Sequence, residues 1–162
     1  MTRDRFPVAR ALALLLPLAL LGGALAFQYL GGLYPCEMCW WQRYPHIAAI
    51  FIAALAFVVP GTAAKRGLVL LAALAILVSG AIGVFHAGVE YHWWEGITAC
   101  SSTMTGHGGT AAEILDRIMH APVVRCDVAQ WTLFGISLAG FNALFSLGGG
   151  ATILWLMRRP QP

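Results

Sequence analysis

Tyr34-Pro35-Cys36-Glu37-Met38-Cys39-Trp40-Trp41-Gln42-Arg43-Tyr44-Pro45-His46 is a short polar break between two apolar stretches. It carries a C-x-x-C pair, a cation four residues after the second cysteine, and a band of aromatic residues. Apolar runs lie on either side. A helix that spans ~30 Å of hydrocarbon needs about 20 apolar residues. Four stretches meet or approach that length: 8–27, 45–60, 67–85 and 131–157. The second is short and needs interfacial residues or local thinning to reach across. Of the 162 residues, 59% are hydrophobic and 10% charged, against about 25% charged in soluble domains. The expectation is an all-α membrane protein, one domain over 1–162: a four-transmembrane-helix bundle with two outer loops.

Charge sets the orientation. Arg3, Arg5, Arg10, Lys65, Arg66, Arg158 and Arg159 flank one side, and Arg43, Arg117 and Arg125 the other. Positive residues stay in the cytoplasm, so both termini and the 61–66 loop are expected inside. The 28–44 and 86–130 loops are expected outside, with all four cysteines. The net charge of +3 is thus a topology signal and calls for no nucleic-acid partner. The partner of the apolar runs is membrane lipid. Residues 1–26 also fit a secretory leader with Ala24-Leu25-Ala26 as its cleavage site. Retention is favoured because the apolar run continues to Leu30, and both cysteine loops stay outside either way.

Small residues at helical spacing, Gly135, Ala139 and Ala143 in the last span and Ser79 and Gly83 in the third, suit close helix packing in lipid. Gly148, Gly149 and Gly150 are expected to weaken the last helix.

In an oxidising compartment paired cysteines form disulfides, and a C-x-x-C often carries a thiol of lowered pKa. If the second helix starts early, Cys39 and Arg43 share a face. Pro45 disfavours a helical Tyr44, which argues for a start near Pro45 or a bend there. A c-type haem site needs C-x-x-C-H, and Trp40 occupies the histidine position. The 25 residues between Cys100 and Cys126 fit no standard zinc knuckle, so no metal is expected. A structural disulfide is the remaining alternative.

In the long outer loop, Thr110-Ala111-Ala112-Glu113 reads as a capping box. It opens a short amphipathic helix that ends before Pro122 and is suited to lying on the bilayer. Cys100 and Cys126 bracket it. A bond between them would stabilise the loop by roughly 3 kcal/mol as a staple, or would be exposed and exchangeable as a catalyst. Both readings stand, with exchange favoured because the loop could carry Cys126 to Cys36 or Cys39. His86 and His92, near the end of the third span, are candidates to hydrogen-bond a lipid-soluble cofactor. His46, His107 and His120 receive no role.

With four spans, C-x-x-C in the first outer loop, Arg43 four residues on, a separated cysteine pair in the second loop and Phe134-Gly135-Ile136-Ser137 after it, the chain resembles the DsbB family over nearly its whole length. Vitamin K epoxide reductases are similar but place C-x-x-C after the loop pair. The resemblance implies a protein-disulfide:quinone oxidoreductase of the bacterial inner membrane, with periplasmic redox loops. Its partner would be a DsbA-like periplasmic oxidase of thioredoxin fold, and its acceptor the quinone pool, ubiquinone favoured over menaquinone. Cys100–Cys126 would be the bond offered to the partner, which attacks Cys100. Cys126 would then exchange with the Cys36–Cys39 bond at Cys36, leaving Cys39 as the thiolate facing the quinone and Arg43 stabilising it. The family often carries an acid before this Arg, where this chain has Gln42. An oxidase at about −120 mV needs a stronger oxidant than glutathione, which a respiratory quinone is. The alternatives are a vitamin K epoxide reductase-like thiol/quinone enzyme, and a non-enzymatic adaptor with two structural disulfides.

Overall fold

The computed structural model describes residues 5–98, 110–120 and 124–158. Their elements are α1 (Phe6–Tyr29), α2 (Glu37–Val58), α3 (Thr62–Glu90), the short α4 (Ala111–His120), strands β1 (Thr132–Leu133) and β2 (Ile136–Ser137), and α5 (Leu138–Arg158). α3 is the central helix, packed most extensively on α2 and α5, while α1 lies against α2 and α5. α1, α3 and α5 are long and apolar enough to cross a membrane. α2 has 22 residues, but its polar first turns keep it below that apolarity.

Two helix starts differ from the sequence expectation. α2 begins at Glu37, eight residues before Pro45, and runs through that proline. Pro45 removes one N–H and frees the Trp41 carbonyl, a loss the packed neighbours tolerate. The early start is secured locally. Cys36 is the N-cap, its sulfur accepting from the Cys39 N–H at 3.2 Å, and the acidic Glu37 sits in the positive first turn. The last long helix begins at Leu138, not at Trp131. Residues 132–137 instead form an antiparallel hairpin, Thr132 opposite Ser137 and Leu133 opposite Ile136. Its two-residue loop, Phe134-Gly135, has φ of +52° and +78°. Two positive φ angles are what a type I′ turn requires, so Gly135 serves the turn and not the helix face. The Tyr91 hydroxyl donates to the Gly135 carbonyl (3.1 Å) and accepts from the Ser137 N–H (2.9 Å), tying the hairpin to the end of α3.

The remaining small residues do pack helices. A Cβ on Gly83 would stand 3.0 Å from the Ala139 carbonyl and the Ala143 nitrogen, so α3 and α5 meet backbone to backbone there. α5 is continuous through residues 148–150; a Cβ on Gly149 would meet Leu16 of α1 and one on Gly150 would meet Leu77 of α3, while Gly148 faces open space. The capping box forms as expected: the Glu113 carboxylate accepts from Thr110 N–H at 2.7 Å, and the Thr110 hydroxyl accepts from Glu113 N–H at 3.4 Å.

The bundle core is divided. Towards the α2–α3 turn it is built of Ala9, Ala13, Ala49, Ala53, Ala56, Val69, Ala72, Ala73, Ile76 and Ile153. Towards the cysteines it buries Gln42, Arg43, His46, Ser79, His86, Ser137 and Ser146.

Candidate functional site

Three sulfurs meet at the N-terminus of α2. Cys36 Sγ lies 2.9 Å from Cys39 Sγ and 3.5 Å from His86 Nε2, and Cys36, Cys39 and Cys126 are free thiols. Cys126 arrives from the segment before the hairpin, 9% exposed, and packs with Cys36, Met38, Val89 and Val124. Its pKa is lowered to about 5. The first cause is a hydrogen bond shared with Cys36, which outweighs desolvation, and contacts with the Met38 backbone, Thr98 and the Glu37 backbone add to it. The unpaired N–H groups of a helix's first turn favour an anion, and here they serve the sulfur of a different loop. Cys36 shifts the opposite way. The Cys39 N–H favours its thiolate, but the hydrogen bonds to Cys126 and then Cys39, with burial, hold the proton on it and push its pKa up. A protonated central sulfur thus sits beside an ionised one.

Cys36 and Cys39 also line a cavity of about 390 Å³ between α1, α2 and α5. Its walls are largely apolar, with Leu20, Phe27, Trp131, Phe141 and Phe145 among them, and Arg43, His86 and Glu90 project from its polar side. The early start of α2 puts Cys39 and Arg43 one turn apart on one face. Arg43, 7% exposed, donates to the Gln28 side chain and to the Ala24 carbonyl (3.3 Å) of α1, and its guanidinium lies 5.0 Å from the centre of the Trp40 ring. One cation is thereby fixed at the cavity wall without a carboxylate partner in these contacts. Burial of such a group is tolerated where hydrogen bonds satisfy it.

Behind the cavity a chain of amides and hydroxyls crosses the bundle. Gln42 bonds His86 Nδ1 at 2.8 Å and donates to the Met38 carbonyl at 3.2 Å. Asn142 donates to Gln42 Oε1 at 2.8 Å, and His46 Nε2 lies 2.9 Å from Asn142 Oδ1 and from Ser79 Oγ. Glu90 Oε1 is 3.7 Å from His86 Nε2.

Of the residues singled out from sequence, the structure brings together Cys36, Cys39, Cys126, Arg43 and His86. Cys100 lies outside the described residues. His92 is exposed in the turn after α3, with φ of +57°, and is absent from the cavity wall. Gln28, Asn142, Glu90 and His46 were not found by sequence reasoning. The available signal was helical spacing to other polar residues in apolar helices: His46 after Gln42, Glu90 one turn after His86 and Asn142 one turn before Ser146. The sulfurs of Cys36 and Cys39 and a ring nitrogen of His86 lie within 4.8 Å of one another, a donor set of a kind that soft metals also take.

Comparison with known proteins gives a consistent result. A family model described as disulfide bond formation protein DsbB matches residues 6–156. The disulfide bond formation protein B of Verminephrobacter eiseniae is 32% identical, over 96% of this chain and 89% of its own. The protein of the same description from Chromohalobacter salexigens is 30% identical, over 85% and 88%. An uncharacterised protein of Rickettsia prowazekii is 22% identical, over 90% and 84%. No solved structure matches the chain significantly.

Proposed function

The chain belongs to the DsbB family of membrane disulfide bond formation proteins, and from that premise we propose that it oxidises a DsbA-like periplasmic thiol oxidase at the expense of a membrane quinone. The observation that carries this reading is the grouping of three free sulfurs at the N-terminus of α2, two of them opening into an apolar cavity whose wall holds a buried arginine. In this reading four spans cross the bacterial inner membrane with both termini cytoplasmic, and the cysteine loops face the periplasm, where disulfides persist.

The cavity suits a prenylated ring: its walls are mostly apolar, and the polar groups gather at one side. Arg43 and His86 would hold the quinone, with Cys39 facing it. Bound there, a quinone supplies an acceptor for two electrons and two protons. The chain's own residues do the rest. Cys100 takes the attack of the reduced partner and releases Cys126. The thiolate is the form that attacks a disulfide; the Met38 and Glu37 backbone groups and Thr98 beside Cys126 favour its thiolate without any proton from Cys36, and Cys36 is the sulfur it packs against. Exchange at Cys36 leaves Cys39 as thiolate one helical turn from the guanidinium of Arg43. That fixed charge stabilises the thiolate and the negative charge that develops on the acceptor oxygen. The apolar walls exclude water and strengthen this interaction.

The test is anaerobic quinone reduction by the purified protein, with reduced thioredoxin-fold candidates added one at a time and short-chain ubiquinone or menaquinone as acceptor. The expected result is stoichiometric oxidation of one partner and reduction of one quinone. Full partner function with Cys39→Ser would instead support a structural adaptor.

A further inference from the structure

Hydrogen-bond accounting behind the cavity fixes the state of His86. Two backbone carbonyls, which can only accept, anchor the chain of amides. The Ser79 carbonyl lies 3.2 Å from Asn142 Nδ2, which makes that atom the amide nitrogen and the atom it meets on Gln42 an oxygen. The Met38 carbonyl lies 3.2 Å from Gln42 Nε2, which fixes Gln42 the same way. Gln42 therefore donates to His86 Nδ1, and that nitrogen carries a lone pair. The ring proton is on Nε2, the nitrogen that lies 3.5 Å from Cys36 Sγ and 3.7 Å from Glu90 Oε1, and the ring also meets the Cys126 backbone. Such a histidine can donate to the sulfur or to the Cys126 backbone but accepts no proton: one nitrogen is already protonated and the other is occupied by an amide.

The reaction proposed above nevertheless moves protons. Oxidising a dithiol with a quinone breaks two S–H bonds, forms one S–S bond, and places two electrons and two protons on the acceptor. The structure assigns the proton-carrying role at this site to Glu90, with Gln42 excluding His86 from it by fixing the histidine's tautomer. Glu90 ends α3 at the cavity wall. Its side chain is 7% exposed, and Oε2 is buried with no hydrogen-bond partner. An unsatisfied buried carboxylate oxygen is costly, and a protonated one would be less so. The groups facing Glu90 are His86 on its own helix, Cys39 from α2, Cys126 from the adjoining segment, and the Ser137 hydroxyl of the hairpin. Arg125 lines the same cavity, its guanidinium paired with Asp127. His46 Nδ1 is likewise unpartnered, but it lies seven residues beyond Cys39 on α2, about 10 Å along the axis, too far to serve the sulfurs.

This inference rests on the quinone reading only for the destination of the protons, so its first test uses no quinone. Redox-difference infrared spectroscopy of the whole protein, reduced against oxidised, should show a carboxyl carbonyl band that is lost in Glu90→Gln and kept in Glu37→Gln. Ser137→Ala, which removes the hydroxyl beside the carboxyl, should shift the band without removing it, and serves if Glu90→Gln does not fold. Nitrogen chemical shifts of labelled histidine should place the His86 proton on Nε2. With short-chain ubiquinone, Glu90→Gln should reduce quinone at least tenfold more slowly with an unchanged quinone Kd, and Glu90→Asp should regain part of the rate. A band indifferent to Glu90 and Ser137, a proton on Nδ1, or a wild-type rate in Glu90→Gln would overturn the assignment. A Glu90-dependent band in a protein that reduces no quinone would uphold Glu90 and sink the quinone reading.

Discussion

The two ends of this bundle are built on opposite rules although the same helices run through both. Near the α2–α3 turn, alanines on α1, α2 and α3 are fully buried with Val69, Ile76 and Ile153, and helices approach closely over these small side chains, with Arg10 and Arg66 reaching the Ala56 and Met157 carbonyls at that end. At the cysteine end, the buried positions of α2, α3 and α5 hold Gln42, Arg43, His46, Ser79, His86 and Ser146, and a cavity opens between α1, α2 and α5. Buried polar groups are costly unless paired, so the second end must be specified atom by atom, while the first needs only the right volumes. The difference locates the chemistry: the half that gives up simple packing is the half that holds the sulfurs.

Replacing a sulfur or the cavity-wall cation should act chiefly on turnover, and trimming the apolar end on stability. The largest effect is expected from Cys39→Ser, which should abolish quinone reduction in the anaerobic assay while helix content by circular dichroism is unchanged. Retained turnover would break the comparison at its centre. Next is the pH profile of alkylation in the reduced protein. A group with its pKa lowered to about 5 is protonated below that pH and ionised above it, so Cys126 should label with a midpoint near pH 5. At pH 6 it carries on the order of 300-fold more thiolate than an ordinary cysteine. Cys36, shifted upward, should stay unlabelled through neutral pH, as mass spectrometry of the labelled peptides would show.

Arg43→Ala should follow, lowering quinone kcat/KM by about 10- to 100-fold, the worth of one charge-assisted interaction. Arg117→Ala, in α4, should have little effect, and equal losses would remove Arg43 from its role. The smallest effect belongs to the other end. Ile153→Val should cost ~1 kcal/mol of stability, read as a lower melting temperature in detergent, with quinone kinetics unchanged.

Much of the fold was legible in the chain because its signals are local. Apolar length marked the helices and the capping box of Thr110 and Glu113 marked α4, while the common face of Cys39 and Arg43 depended on an early start of α2 that Pro45 argued against. Where the reading failed, tertiary contacts overrode local preference. α2 runs through Pro45 because its packed neighbours tolerate the lost hydrogen bond. The hairpin at 132–137 was hidden because its sequence is as apolar as a helix and only the turn geometry at Phe134-Gly135 distinguishes it.

By itself, the sequence determined the class of protein, its family, and which residues carry sulfur and charge, since hydropathy, charge asymmetry and motif spacing are properties of the chain alone. The tertiary structure decided that Cys126 rests on the first turn of α2 and accepts a hydrogen bond from Cys36. It also decided that Gln42 faces a histidine 44 residues away, and that Glu90 is buried without a full set of partners. Those are relations between groups distant in sequence, and an ionisation state or a tautomer depends on the atoms that surround it.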